Sequence, residues 1–399
     1  MYNLLFIYPN FSFSNPNAKQ FDRLLGSIEG QCTLNVLARK GPRNSTVKGI
    51  ELFSVPESRF RVLFQHALLR FAGDWAYQPD ELRPLVNTRM YRVARKLVKE
   101  KHFDAIVSLS FPLSCTLIAY RLKKIYGIPW IAMFYDPWTD NQFRRKMRSR
   151  FAKWNDRRWE RLVALNADVV IHTNDIIAER WGARYGDSVD KKIHVIPFCY
   201  TKDMMDTVPS PIPPPHDKII LSYIGRSVGK RNLHDMIIAL GELLKEGVIG
   251  LDHFEFRVIG DVLESDVTLS ESESVNHLIR FIGPLPESVL ASYYEQSDCF
   301  LVIDAPDSEN VFFPSKLMDY FYWRRPILGI TPLKGITNDL LRRSGGTAIA
   351  NGDIPSIKEW IKKVIQYGPY SIKTDFGFYK QFDPQIIGNK FIEIVSRIA

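Results

Sequence analysis

Short, continuous apolar runs punctuate this chain. The first, Asn3 to Tyr8, is uninterrupted rather than alternating and ends at Pro9 in a polar loop, the pattern of a short strand buried on both faces. Runs of the same character return at HFDAIVSLS (102–110), IPWIAMFYD (128–136) and NADVVIHTN (166–174), and KIHVIPF (192–198) closes the series. The segments between them, such as 83–100 and 113–126, are long enough to hold helices. Strand-helix-strand repetition predicts a parallel sheet covered on both faces.

The proline-rich stretch DTVPSPIPPPHD (206–217) cannot join a sheet or a helix interior and reads as a linker. Beyond it the alternation restarts, with KIILSYIG, FEFRVIGD, LIRFIG, CFLVID and PILGIT as strands and NLHDMIIALGELLKEG, PESVLASYYEQSD and PSKLMDYFYWRR as helices. The expected architecture is α/β. Two doubly wound Rossmann-like domains, 1–205 and 218–375, are joined by the linker, with a C-terminal helix near 376–399 packing back on the first. A length of 399 residues suits two cores. Open parallel sheets bind ligands at the carboxyl ends of their strands, so the two domains are expected to face a central cleft.

Charge changes this picture by being uneven. Residues 1–200 hold 32 Lys and Arg against 18 Asp and Glu, and the remainder holds 21 against 26. A basic half beside an acidic half points to a polyanionic partner for the first: nucleic acid, anionic lipid or a pyrophosphate-bearing substrate. Cys32, Cys115, Cys199 and Cys299 lie far apart, which fits neither a disulfide framework nor a zinc site and suits a reducing compartment. The N-terminus has no leader of signal type, and the chain has no apolar run of membrane-spanning length, so a cytoplasmic location is expected.

Candidate chemistry clusters in the second domain. After its first strand comes IGRSVGKRN, with Gly225 and Gly229 flanking Arg226, and with Lys230 and Arg231 expected to open the next helix. Arg offers a planar fork to phosphate oxygens, Lys a point charge, and a helix N-terminus free amide donors. In VFFPSKLMDYFYWRRPIL (311–328), Pro314 suits a first helical turn, and Ser315 with Lys316 can present hydroxyl, amide and ammonium groups to an anion. Asp319 can accept hydrogen bonds from ribose hydroxyls or simply complement the helix dipole. Asp304 and Asp307 lack a third ligand and read as loop residues rather than a metal site. In the first domain, Asp136 ends the strand IAMFYD, where it can meet a reacting sugar or acceptor hydroxyl, or cap the turn before Pro137.

The order strand-GRxxxK-helix, FxG (Phe281 to Gly283), a helix with Tyr293 and Tyr294, then PSKLxDY followed by PIL, resembles the family 4 glycosyltransferases of the GT-B fold, specifically over 218–331 and more weakly through the first half. The resemblance implies retaining transfer of a sugar from a nucleotide diphosphate sugar to a glycan or polyprenyl-linked oligosaccharide acceptor in cell-surface polysaccharide synthesis, with no obligatory metal or other cofactor. It assigns Arg226 and Lys230 to the leaving diphosphate and places Ser315 and Lys316 near the phosphates. It also makes Asp319 the ribose acid, Arg280 and Val311 to Phe313 part of the donor pocket, and Asp136 the contact to the reacting groups. The sequence departs from the family where the first acid of a pair is expected: Val311 stands there, with Glu309 two residues earlier. The usual glycine pair after the first strand is replaced by NFSFSNPNAKQ (10–20), in which Asn15, Asn17 or Lys19 can serve.

Residues 144–161 carry nine Lys or Arg against two acids, among them Arg144, Arg145, Lys146, Arg148 and Arg150, interleaved with Phe151, Trp154 and Trp159. That is the composition of an interfacial segment on the anionic inner face of a plasma membrane, or of a solvated helix whose tryptophans enter the core. Residues 59–77 repeat the character. Two rival readings remain: an epimerase of the same two-lobed shape, which would need cleft acids and histidines in an arrangement this chain does not display, and a nucleic-acid-binding protein, for which no reader motif is present.

Overall fold

Each apolar run becomes a strand because its side chains find cover on both faces of a sheet. The computed structural model describes residues 1–11, 15–40, 45, 47–56, 84–142, 149–201 and 208–399. They divide into one unit of Met1–Cys199 with Phe382–Ala399 and a second of Tyr200–Gln381. Residues 59–77 and Arg144, Arg145, Lys146 and Arg148 lie outside the described residues.

In the first unit the strands are β1 (Tyr2–Ile7), β2 (Cys32–Arg39), β3 (Glu51–Val55), β4 (Ala105–Ser110), β5 (Trp130–Phe134), β6 (Val169–His172) and β7 (Ile193–Val195). Among the described residues they form one sheet in the order β3-β2-β1-β4-β5-β6-β7, all parallel. Every residue of β4 and β5 is buried, which explains why those runs read as continuous rather than alternating. In the second unit β8 (Ile219–Ile224), β9 (Phe254–Ile259), β10 (Ile279–Gly283), β11 (Cys299–Ile303), β12 (Ile327–Ile330) and β13 (Thr347–Ile349) form a parallel sheet in the order β10-β9-β8-β11-β12-β13. In both sheets the chain winds outward one way, returns to the middle and winds out the other way, so the switch points lie between β1 and β4 and between β8 and β11. These are the crevices where doubly wound sheets bind ligands.

The closing segment differs from the sequence expectation. Phe378–Phe382 is a 3-10 turn, and the last helix begins only at Pro384, because Asp383 caps it by accepting from the Gln385 amide at 2.8 Å. This helix, Pro384–Ser396, belongs to the first unit. Phe391 stacks on Phe6 of β1 with ring centroids 6.3 Å apart, and Gly388 faces the helix Pro16–Ser27 so closely that a Cβ would come within 2.2 Å of the Ser27 carbonyl oxygen. Gly388→Ala is therefore expected to cost about 1–3 kcal/mol through overpacking, more than the helix propensity alanine gains. A lowered midpoint in chemical denaturation checks this, and an unchanged midpoint would contradict the close approach.

Candidate functional site

The second unit assembles its cluster at the carboxyl ends of β8 and β11. The loop after β8 is pinned by backbone bonds from Gly225 to Ile259 and from Ser227 to Asp261, at 2.8 and 2.9 Å, and by the Tyr223 hydroxyl donating to the Arg226 carbonyl at 2.8 Å. Val228 and Arg231 then exchange backbone bonds across a tight turn in which Gly229 takes φ +57°. The helix starts only at His234. Lys230 and Arg231 therefore do not open it: the turn intervenes, leaving Lys230 exposed at its tip. Arg231 is directed inward, where its charge acts on Tyr223, Asp304 and Lys316. Sequence reasoning paired Arg226 with Lys230; the cation on the inner side of the turn is Arg231.

The second loop follows β11. Asp304 is buried there, and its Oδ2 accepts from Asn310 Nδ2 at 2.8 Å and Thr331 Oγ1 at 2.7 Å. Burial pushes its carboxyl above the ordinary range, while hydrogen bonds from the Thr337 and Thr331 hydroxyls and the charge of Arg231 pull it back. Asn310, which no sequence pattern singled out, is the hub. Its Nδ2 also reaches Thr337 Oγ1 at 2.8 Å and the Phe312 carbonyl at 3.1 Å, its Oδ1 accepts from the Phe312 amide at 3.0 Å, and its backbone pairs with Lys334 and Ile336. Gly335, at φ +126°, allows that pairing, since a Cβ there would sit 2.0 Å from the Asn310 carbonyl oxygen. Residues 311–315 are thereby aimed at the start of the helix Lys316–Trp323.

That helix is tied to both strands by one phenol: Tyr320 Oη accepts from the Ile224 amide at the end of β8 at 3.0 Å and donates to the Leu301 carbonyl in the middle of β11 at 3.2 Å. Ser315 precedes the helix and makes no side-chain capping bond. Lys316 reaches the other loop, where a Cβ on Gly225 would lie 2.5 Å from its Nζ. Asp319 is buried in the first turn. Val311 and Phe313 are buried, so the position at which an acid was expected offers no polar side chain, and Glu309 pairs with Lys334 at 3.7 Å. The structure thus brings Arg226, Lys230, Ser315 and Lys316 to one switch point. Arg280 is not brought there: it is the second residue of β10 and opposite Arg257, about 10 Å of strand rise short of the carboxyl end.

In the first unit Asn17 and Asp136, 119 residues apart, meet: Asn17 Nδ2 donates to Asp136 Oδ2 at 2.8 Å. The contact joins the first turn of the helix Pro16–Ser27, which follows β1, to the loop just after β5, spanning β4 between them. Asn15 has a different task. Its Oδ1 accepts from the Ala18 amide at 2.9 Å and caps the helix, while Lys19, partly exposed, lies in the first turn. Past Asp136 the loop is held by Glu160, which is fully buried and accepts from the Thr139 amide and hydroxyl at 2.8 and 2.9 Å, from Tyr185 at 2.6 Å and from Arg184 at 2.5 Å. The helix Arg150–Asn166 turns a basic and aromatic face outward: Trp154 is 55% exposed, beside Phe151 and under Arg158, with Arg150, Arg157 and Arg161 also exposed. Trp154 therefore does not enter the core. Among the described residues no group of three His, Cys, Asp or Glu could hold a metal ion, and no helix is long and apolar enough to cross a membrane.

Residues 35–199 match a family described as Glycosyl transferase 4-like domain. No curated protein sequence matches. Solved structures share the fold across the whole chain. The apo lipopolysaccharide outer core galactosyltransferase WaaB is 15% identical, covering 99% of each chain at a TM-score of 0.65. Alr3699/HepE of Anabaena, in complex with UDP-glucose, is 12% identical over 100% of both chains at 0.68. WaaG, a glycosyltransferase involved in lipopolysaccharide biosynthesis, is 14% identical over 98% of this chain and 99% of its own at 0.65. Likeness at this identity establishes the fold, which is GT-B.

Burial pushes the Asp136 carboxyl above the ordinary carboxylate range, and the hydrogen bond from Asn17 opposes that shift. Asn17→Ala removes the opposing contact, so Asp136 is expected to titrate at higher pH in the variant. Carboxyl carbon NMR of the two proteins reads this directly, and coincident titrations would show that Asn17 does not act on the carboxylate.

Proposed function

We propose that this chain, which has the GT-B fold and whose residues 35–199 match a glycosyl transferase 4-like domain, is a glycosyltransferase that transfers a sugar, with retention, from a nucleoside diphosphate sugar to a glycan or lipid-linked oligosaccharide acceptor of the cell surface. The observation that carries this reading is the meeting of the Gly225–Arg231 loop with the start of the Lys316 helix at the switch point of the second sheet. Arg226 and Arg231 gather positive charge there, with Lys230 at the mouth, and the Lys316 amine and unused Ser315 hydroxyl capacity beside them suit phosphate oxygens. Charge developing on a departing diphosphate would be stabilised by these fixed cations, commonly the largest catalytic contribution. Asp319 would accept from the ribose. Residues 218–375 would thus bind the donor and the first unit the acceptor, with Asp136 and Asn17 toward the reacting hydroxyl. The UDP-glucose of the Anabaena relative and the lipopolysaccharide role of WaaG support the donor and acceptor classes.

The exposed face of Arg150–Asn166 would rest on the anionic inner face of the plasma membrane, each cation contributing about 1 kcal/mol near the surface. A lipid-linked acceptor would be presented from the same side.

Thermal denaturation with a panel of nucleoside diphosphates tests the donor site. One of them is expected to stabilise the wild type by about 2.7 kcal/mol at a hundredfold excess over its Kd, and Arg226→Ala and Arg231→Ala should abolish the effect while lowering kcat/KM roughly 100–1,000-fold. If no nucleotide shifts the transition, the donor site is misread. For the membrane face, Trp154→Ala and a charge-neutral Arg157/Arg158/Arg161 variant are expected to stop sedimenting with anionic vesicles at physiological salt. Equal sedimentation of variant and wild type would remove this surface from the account.

A further inference from the structure

Lys316 is stored in an unusual state. Its stem is partly exposed, but its Nζ is buried and makes no hydrogen bond to any described residue. The nitrogen lies 3.9 Å from the ring centre of Tyr223 and against Gly225, where the absence of a Cβ makes room for it. The ionisable groups facing it are Tyr223 from β8, Arg231 from the turn after β8 and Asp304 from the end of β11, and Asp319 is three residues along its own helix. Of these Asp304 is the one whose charge opposes that of Arg231 at the amine, and its Oδ2 is already engaged by Asn310 and Thr331.

An ammonium has three donors and no acceptor, and burying it unpaired beside another cation is strongly unfavourable, whereas a neutral amine sits there at little cost. Burial, reinforced by Arg231, accordingly holds this amine well below the ordinary lysine range, and Asp304 offsets only part of that. A diphosphate between the two loops reverses the balance, because its oxygens supply the acceptors and the negative charge that the empty site lacks.

We propose that binding of a nucleoside diphosphate takes up a proton from solvent at Lys316, which is a neutral amine in the empty site and an ammonium against phosphate oxygens in the occupied one. This rests on the donor-site reading above and deepens it: the third cation of the site exists only when an anion is present. A neutral nucleoside would then gain nothing from Lys316, and discrimination in favour of the diphosphate is built into the amine. Linkage fixes the sign. Between the proton affinity of the empty site and the higher one of the occupied site, diphosphate binding weakens by about tenfold per pH unit as pH rises.

The test is calorimetric titration of UDP into the full-length protein at about pH 8, well above the terminal phosphate pKa of about 6, in two buffers of different ionisation enthalpy. The buffer dependence of the heat counts protons. The wild type is expected to take up about one proton per UDP bound. Lys316→Met, which keeps the shape of the stem and removes the amine, should fold with an unchanged or raised melting temperature, bind UDP more weakly and take up none. UDP binding to the wild type without proton uptake, or uptake that persists in Lys316→Met, overturns the proposal and leaves the donor site standing. Absence of binding for UDP, ADP and GDP alike brings down the donor site and this proposal with it.

Discussion

A single phenol fixes the geometry on which the second unit depends. Tyr320 Oη bonds to the backbone of β8 at its carboxyl end and of β11 at its middle, while its ring stacks on Phe300 of β11 with centroids 4.4 Å apart. The switch point of a doubly wound sheet is otherwise a place where the chain leaves in opposite directions and leaves backbone groups uncovered. By occupying it, Tyr320 sets the helix Lys316–Trp323 at a fixed depth, and Lys316 follows from that placement. Position here is imposed by the backbone and a fully satisfied polar anchor rather than by the flexible side chains that would touch a ligand.

The two units solve one problem with different residues. Each must hold a polar loop rigid above an apolar sheet, and each uses buried amides and carboxylates whose partners come from distant sequence. In the second unit Asn310 fills this role through four side-chain bonds. In the first, Asn17 restrains Asp136 and Glu160 gathers four donors around the loop that follows. A carboxylate buried this way is kept only because its acceptors are filled, and removing one donor leaves charge without compensation.

The legibility of these features follows from their physics. Strands buried on both faces announce themselves as unbroken apolar runs, so β1, β4, β5, β8 and β11 stand out along the chain. CTLNVLAR and ELFSV, which became β2 and β3 toward one edge, carry polar residues and drew no attention. Arg226, Ser315 and Lys316 were legible because the glycine-flanked loop after β8 and the Pro-Ser-Lys start of a helix mark themselves in the sequence. Arg231 was noticed but passed over in favour of Lys230, because the register of a tight turn, not composition, decides which of two adjacent cations faces inward. Asn310 was invisible for a related reason: its value lies in contacts to Asp304, Thr337 and Lys334, none of which any spacing rule connects. Lys316 was noticed for its charge, and only the packing of Gly225 and Tyr223 around its nitrogen shows how deeply that nitrogen is buried.

The return of Pro384–Ser396 to the first unit makes that unit discontinuous in the chain. Its sheet emerges from the ribosome complete by Val195, but the helix that covers Phe6 and the Ser27 end of the first helix is translated only after the whole of Tyr200–Gln381. At ordinary synthesis speeds that interval is roughly 10–40 s. During it the first unit presents an uncovered apolar strip to solvent while the second unit can already close its own core. The order of synthesis thus opposes the order of the domains: the unit that begins first finishes last.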